Sequence, residues 1–355
     1  MTELSVQPRA DGYDFVPARS VEAGRLIAFA AAVWPDRPHD QLVARWWRRA
    51  EPGCAVAAIH TASGVMAGFC SARPSDWVID GKSVPTIAIC DWYVDPAHAG
   101  KGIGKCLAQH FEMAGQFVYT FSISDAAIAN FKKLGWAGPR RAALMVLPLP
   151  AVVRLGAALF GRGSTVEFED AIVSPESPAM AALGPELDRI EASRLSDGSA
   201  RMQRGAAEWR WRLSVCGPRS YHFCLARRAG EPVGYGVVRR LMPGSSRQLG
   251  RIPGAMLTDL VAVHDEPAVL QALATRAAAV AAKLGAAIVL AVTNQPSLQD
   301  ALGKAGFLSP TTPLLGSALS HRSPLYMWVP NGPGTHITPE KMALTFADSD
   351  VDLLL

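Results

Sequence analysis

The chain has 355 residues, more than one domain normally holds, so two domains are expected. Hydrophobic residues make up 49% and charged residues 19%, which supplies material for packed cores and excludes a disordered chain. The formal net charge of +4 suits an anionic ligand but falls short of the dense basic stripe that nucleic acid requires, so no nucleic-acid partner is expected.

The N-terminus, MTELSVQPRADGYDF, lacks a basic segment followed by an apolar one, so no secretory signal is expected. Residues 35–49 place Leu42, Val43, Trp46 and Trp47 at helical spacing. Residues 55–60 and 65–73 read as strands joined at Ser63-Gly64, and Asp80-Gly81 marks a second hairpin with a type I′ turn. A long strand over 86–94, a helix over 102–115, a strand over 117–123 and a helix over 125–134 follow, the last stopped by Gly135. The longest apolar stretch, residues 142–160, holds Pro148, Pro150 and Arg154, which argues against a membrane span. It falls in residues 139–164, where the interdomain connection is expected. Beyond about residue 330 the chain turns to Gly, Pro, Thr and acidic residues and reads as a tail that docks on a domain or mediates self-association, a homodimer included. The six cysteines form no CxxC pair and the histidines have no zinc-finger spacing, so no metal site is expected and the address is cytoplasmic.

The pattern is written twice. Trp47 matches Trp211 at an offset of 164, Gly68 matches Gly234 at 166, Asp91 matches Asp259 at 168 and Trp136 matches Phe307 at 171. A slowly drifting offset is what two copies with small loop insertions give, so a tandem duplication is expected. The expected organisation is a first domain over 1–145, a linker over 146–165, a second domain over 166–330 and a tail over 331–355.

The chemistry concentrates in VDPAHAGKGIGKCL, residues 94–107, where a strand gives way to a glycine loop and a helix. Backbone amides at such a helix start favour an anion, and glycine keeps side chains from standing between them and phosphate. Walker A fails because Cys106 follows Gly104-Lys105, and the dinucleotide fingerprint fails because Lys105 stands where glycine is needed.

Val94, Pro96, Gly102 and Gly104 match the V-x-P-x-x-(Arg/Gln)-x-x-G-x-(Gly/Ala) pattern, and this segment resembles the GCN5-related N-acetyltransferase (GNAT) superfamily. The helix SDAAIANFKKLGW adds a second match through Ala127, Lys133, Gly135 and Trp136. The resemblance implies an α/β (α+β) fold of two GNAT-like domains, each a mixed, mostly antiparallel sheet flanked by helices. It implies that acetyl-CoA, or another acyl-CoA, is held by the backbone of Gly100, Lys101, Gly102, Ile103, Gly104 and Lys105 at its pyrophosphate. Trp92, Tyr93 and Val94 would hold its pantetheine arm, and Ser124 stands where the family has Asn. Two further departures are Ala99 in place of Arg/Gln and Phe131 in place of the Tyr that protonates the leaving thiolate.

The implied reaction is attack of a neutral amine, from a small molecule or peptide, on the thioester. Asp91 is the candidate base, although an Asp there also serves to bond neighbouring backbone or fix an Arg. Cys90 reads as core, and His98 either touches phosphate or faces water. The second copy has no glycine loop, and its His264-Asp265-Glu266 would repel pyrophosphate, so it reads as degenerate. Its run Trp209 to Arg212 is either an acceptor surface or a helix packed by its Trp faces. Two other functions fit the same pattern: a non-catalytic acyl-CoA-binding or regulatory protein, and a relative of the FemAB-like peptidoglycan aminoacyltransferases.

Overall fold

The computed structural model describes residues 10–35, 39, 43, 54–112, 117–149, 166–174, 177–194, 200–215, 220–241, 249–313, 316–330, 337 and 341–348. Most of the helix expected over 35–49, including its tryptophans, lies outside these residues. In chain order, β1 (Tyr13–Pro17), α1 (Ala23–Val33), β2 (Ala55–His60), β3 (Met66–Ile79) and β4 (Lys82–Val94) come first. The β3–β4 hairpin turns at Asp80 (φ 49°) and Gly81 (φ 74°), the paired positive angles of the type I′ turn expected there. Then follow α2 (Ile103–Glu112), β5 (Phe117–Ile123), α3 (Asp125–Lys133), β6 (Ala137–Arg141) and β7 (Ala143–Pro148). The remainder comprises β8 (Glu167–Val173), α4 (Ala179–Ser193), β9 (Ala200–Met202), α5 (Ala206–Val215), β10 (Tyr221–Arg228), β11 (Glu231–Leu241) and β12 (Gly254–Ala262). It ends with α6 (Pro267–Lys283), β13 (Ile288–Thr293), α7 (Pro296–Lys304), α8 (Gly316–Arg322), β14 (Leu325–Trp328) and β15 (Met342–Ala343).

The chain divides into two compact units, one of Met1–Trp77, Ser83–Pro139 and Met327–His336, the other of Val78–Lys82, Arg140–Tyr326 and Ile337–Leu355. The first sheet runs β1-β2-β3-β4-β5-β14-β6, with β4 and β5 parallel. Its core joins Val56, Phe111 and Trp136 to Met327, so a strand from far along the chain completes it. The second sheet runs β7-β13-β12-β11-β10-β8, with β12 and β13 parallel and β7 antiparallel to β13. β7 crosses residue 145, the boundary expected from composition, and its Met145 and Leu147 are buried in the second core. The first sheet therefore takes β14 from late in the chain, and the second takes β7 from the segment before residue 150. Pattern matching at a fixed offset has no means of revealing that exchange.

Matched positions do matched work. Gly135 (φ 84°) and Gly306 (φ 93°) end α3 and α7 in the left-handed conformation. Behind them Trp136 N–H donates to Phe131 O (3.1 Å) and Phe307 N–H to Leu302 O (3.0 Å), the long bond of a Schellman motif. Both aromatics are buried. At Gly68 a Cβ would stand 3.2 Å from Tyr93 O and 3.0 Å from Ile103 Cγ2. At Gly234 it would stand 2.5 Å from Val261 O and 3.0 Å from Leu273 Cδ1, so both glycines admit the same close approach of strand and helix.

The run Trp209 to Arg212 resolves towards packing. Trp209 lies on α5, fully buried, with its ring 5.0 Å from Phe223 and 5.6 Å from Tyr221, and Arg212 pairs with Glu208 at 2.8 Å. Of the two readings of the tail, the described part follows docking on a domain: Met342–Asp348 is buried in the second unit.

Candidate active site

The site expected from sequence falls on the first unit, where β4 outruns its neighbour. The β4–β5 ladder begins with Thr86 opposite Phe117 and ends with Ile89 opposite Thr120. Past that point β4 continues through Cys90, Asp91, Trp92, Tyr93 and Val94, with no β5 partner in the ladder. An extended ligand arm that bonds to main chain needs such an uncovered strand edge.

The glycine loop follows at once. Asp95 Oδ1 accepts from Ala97 N (2.8 Å), and a 3₁₀ turn, Pro96–His98, leads to Gly100 (φ 76°) and Gly102 (φ 78°). A Cβ at either glycine would meet nothing within 4 Å, so space lies open before this backbone. Cys106 N–H donates to Gly102 O (3.1 Å), which makes Gly102 the cap of α2. The amides of Ile103, Gly104 and Lys105 then have no acceptor inside the helix, and the helix dipole adds to their pull on an anion. Lys101 and Lys105 are exposed, whereas the Ile103 side chain is buried and lends only its amide.

Gly104 has a different reason from the one phosphate contact gives. Its Cβ would lie 3.1 Å from Trp92 Cζ2, so glycine here seats the indole against the start of α2. Trp92, Phe131 and Trp136 form a stack, with centroids 4.5 Å and 4.6 Å apart. Phe131 is buried, which ties the absence of a Tyr hydroxyl to packing between two tryptophans. The Trp92 Nε1–H is buried without a hydrogen-bond partner, a donor left over beside the uncovered edge.

Alternation along β4 puts Asp91 and Tyr93 on the face opposite Trp92. Asp91 is half-buried, and its Oδ2 accepts the Ser71 hydroxyl at 3.1 Å. Burial pushes the Cys70 thiol up, with the neighbouring Cys90 and Asp91 adding to it. A thiol held protonated is a poor nucleophile. The Tyr93 ring stands 5.9 Å from Phe29 and 6.1 Å from Trp34, an aromatic wall on the Asp91 face.

Sequence reasoning missed Ser71, because a cross-strand partner depends on register. It also missed a cluster behind the loop. Tyr13 Oη and His98 Nδ1 are 2.8 Å apart, and the His60 ring lies 5.3 Å from that of His98. Tyr13 and His60 lie on β1 and β2. Ser124 precedes α3 with an exposed side chain that makes no cap bond.

The second unit lacks this loop. Val263–Asp265 follows β12 with positive φ at His264 and Asp265. Its acids are paired: Asp265 lies 3.5 Å from Arg194, and Glu266 accepts from Arg228 at 2.6 and 3.0 Å. The expected repulsion of pyrophosphate is thus largely neutralised. No glycine cradle opens there among the described residues.

The profile of the acetyltransferase (GNAT) family matches residues 21–136. No curated protein sequence matches the chain. Among solved structures, a probable N-acyltransferase from Enterococcus faecalis superposes with a TM-score of 0.58 at 12% identity, over 89% of this chain and 71% of that one. A GCN5-related N-acetyltransferase from Anabaena variabilis gives 0.54 at 13% identity, over 89% and 72%. A Saccharomyces cerevisiae N-myristoyltransferase with bound myristoyl-CoA gives 0.54 at 11% identity, over 96% and 84%. At these identities the superpositions establish the fold alone, and the match to the acetyltransferase (GNAT) family is confined to residues 21–136, the part of the chain that carries β4, the glycine loop and α3.

Proposed function

We propose that the chain is an acyl-CoA-dependent N-acyltransferase, with acetyl-CoA as the first donor to test and an amine as acceptor. The observation that carries this is the loop at Gly100 and Gly102, whose open space and unengaged amides follow directly on the uncovered edge of β4. The fold shared with the E. faecalis probable N-acyltransferase, the A. variabilis N-acetyltransferase and the yeast N-myristoyltransferase with bound myristoyl-CoA supports the same reading. The residues fit the donor: amides from Gly100 to Lys105 meet its phosphates, and the edge of Trp92–Val94 meets its pantetheine amides. When bound, acyl-CoA supplies an activated carbonyl whose thiolate leaves.

The chain's own residues do the rest. Asp91, steadied by Ser71, takes the proton of the attacking amine directly or through water. Tyr93 and Trp34 give the acceptor an aromatic wall, which suits an amine that arrives as a cation. Phe131 has no proton to give, and none is essential, because a thiol pKa near about 8.5 makes thiolate a competent leaving group. In this reading the second unit is a degenerate copy that holds no donor, and the protein works in the cytoplasm as monomer or homodimer.

Release of free thiol from acetyl-CoA in the presence of a panel of amines tests the proposal. Asp91→Asn is expected to lower kcat about 10²- to 10³-fold while leaving acetyl-CoA affinity unchanged. An unaltered kcat in that variant removes Asp91 from the chemistry. Thiol release from no amine at any acyl length leaves a binding protein only.

A further inference from the structure

The second unit repeats the parting strands of the first but fills the gap. Its β12–β13 ladder ends with Leu257 opposite Ala291, and Asp259 follows as Asp91 follows in the first unit. Asp91 is half-buried, whereas Asp259 is 1% exposed. What covers it is the chain's own Met342–Asp348. The 3₁₀ turn Phe346–Asp348 packs on both β12 and β13, so it lies across the place where the strands part.

Two kinds of grip hold this segment. Asn294, just past β13, donates from Nδ2 to Met342 O (2.7 Å) and accepts at Oδ1 from Leu344 N (2.8 Å). That is recognition of extended main chain, and β15 pairs in parallel with β9 alongside it. The second grip is specific to a side chain. Arg204, fully buried, donates to Asp259 Oδ1 (2.8 Å) and to Asp348 Oδ2. Thr345 ties the two carboxylates together, its hydroxyl donating to Asp259 (3.1 Å) and its amide to Asp348 (2.6 Å). Tyr235 Oη donates to Asp259 Oδ2 at 3.3 Å. Buried carboxylates are tolerated only with such pairing, so Arg204, already paired with Asp259, is what lets Asp348 be buried. A cleft that grips main chain at one end and one acidic side chain at the other has the features of a peptide site.

We propose that the second unit is a peptide-binding domain whose cleft, formed where β12 and β13 part, is occupied by the chain's own residues 342–348 and latched by Asp348 on Arg204. The cleft is closed to an acyl-CoA arm by a segment of the same polypeptide. The peptide site itself stands without the acyltransferase reading, and its test uses no acyl-CoA.

The test begins with the full chain carrying a site-specific protease sequence inserted between His336 and Ile337, cut after folding. The released fragment is expected to co-elute with the body of the protein in gel filtration. A labelled peptide of residues 341–355 is expected to exchange into the cut protein and not into the uncut one, and its Asp348→Asn form to bind about a hundred-fold more weakly. Departure of the fragment on cleavage, or equal binding by the two peptides, overturns the proposal. Hydrogen exchange on the uncut chain gives a second reading. The Leu344 amide is expected to be protected in the wild type and to exchange about a hundred-fold faster in Asp348→Asn, and unchanged protection there also overturns it.

Discussion

Single residues show where a sequence motif and its structural reason separate. Gly100 and Gly102 are glycines for the reason the motif gives: a left-handed backbone with open space before it. Gly104 is a glycine because Trp92 packs against it. The Phe131 replacement follows from the same stack. Between Trp92 and Trp136 a phenol oxygen would be buried away from water, so Phe131→Tyr is expected to cost about 1–3 kcal/mol and to give no gain in turnover. Thermal unfolding and thiol-release rates check both halves, and a faster, equally stable variant would show that the position still faces the leaving thiolate. The strand, glycine loop and helix start over residues 94–107 were legible in the sequence because their spacing is local. Ser71, Tyr13 and His60 were not, since their roles come from strand register and ring contacts over long sequence separations.

At the scale of elements, the helix stops are the most transferable feature. Gly135 and Gly306 occupy the same place in the same motif, each followed by a buried aromatic. Placing a Cβ on either left-handed residue is expected to cost about 1–2 kcal/mol. Gly135→Ala and Gly306→Ala should therefore lower Tm by similar amounts in separate measurements, and no loss in either would mean that the helix end rearranges freely. In the sequence the Gly135 stop and the match of Trp136 to Phe307 mark both helix ends, because a C-cap glycine and its buried successor are neighbours in the chain. β1, α1 and α4 lack such local signals, and for the segment 342–348 the sequence left docking and self-association open. The acidic-apolar composition that reads as a tail is the composition that fits a buried Arg204 and an apolar cleft.

At the scale of the whole chain, the exchange of strands decides what can be cut apart. The first sheet contains β14 and the second contains β7, so a fragment of residues 1–150 lacks the strand that lies beside β5. That fragment is expected to show no cooperative unfolding transition, which calorimetry checks. A cooperative fragment that binds acetyl-CoA would mean that β14 is dispensable to the first unit. The drifting offsets led to the expectation of two copies, because each half of the sequence keeps its own hydrophobic pattern. The exchange itself lay beyond reach, since β7 and β14 are both short apolar strands that suit either sheet.

The central claim is that the loop at Gly100–Lys105 holds an acyl-CoA donor on the first unit. Calorimetric titration of the intact protein with acetyl-CoA, beside Gly102→Asp and Gly102→Asn, tests it most directly. Asp and Asn tolerate the left-handed backbone comparably, so the pair separates charge from shape. The expected result is one acetyl-CoA per chain, weakened about a hundred-fold or more by Asp and much less by Asn, because a carboxylate stands where phosphate must lie. Equal binding by wild type and Gly102→Asp, or no binding of acetyl-CoA, longer acyl-CoAs or free CoA by the wild type, contradicts the claim.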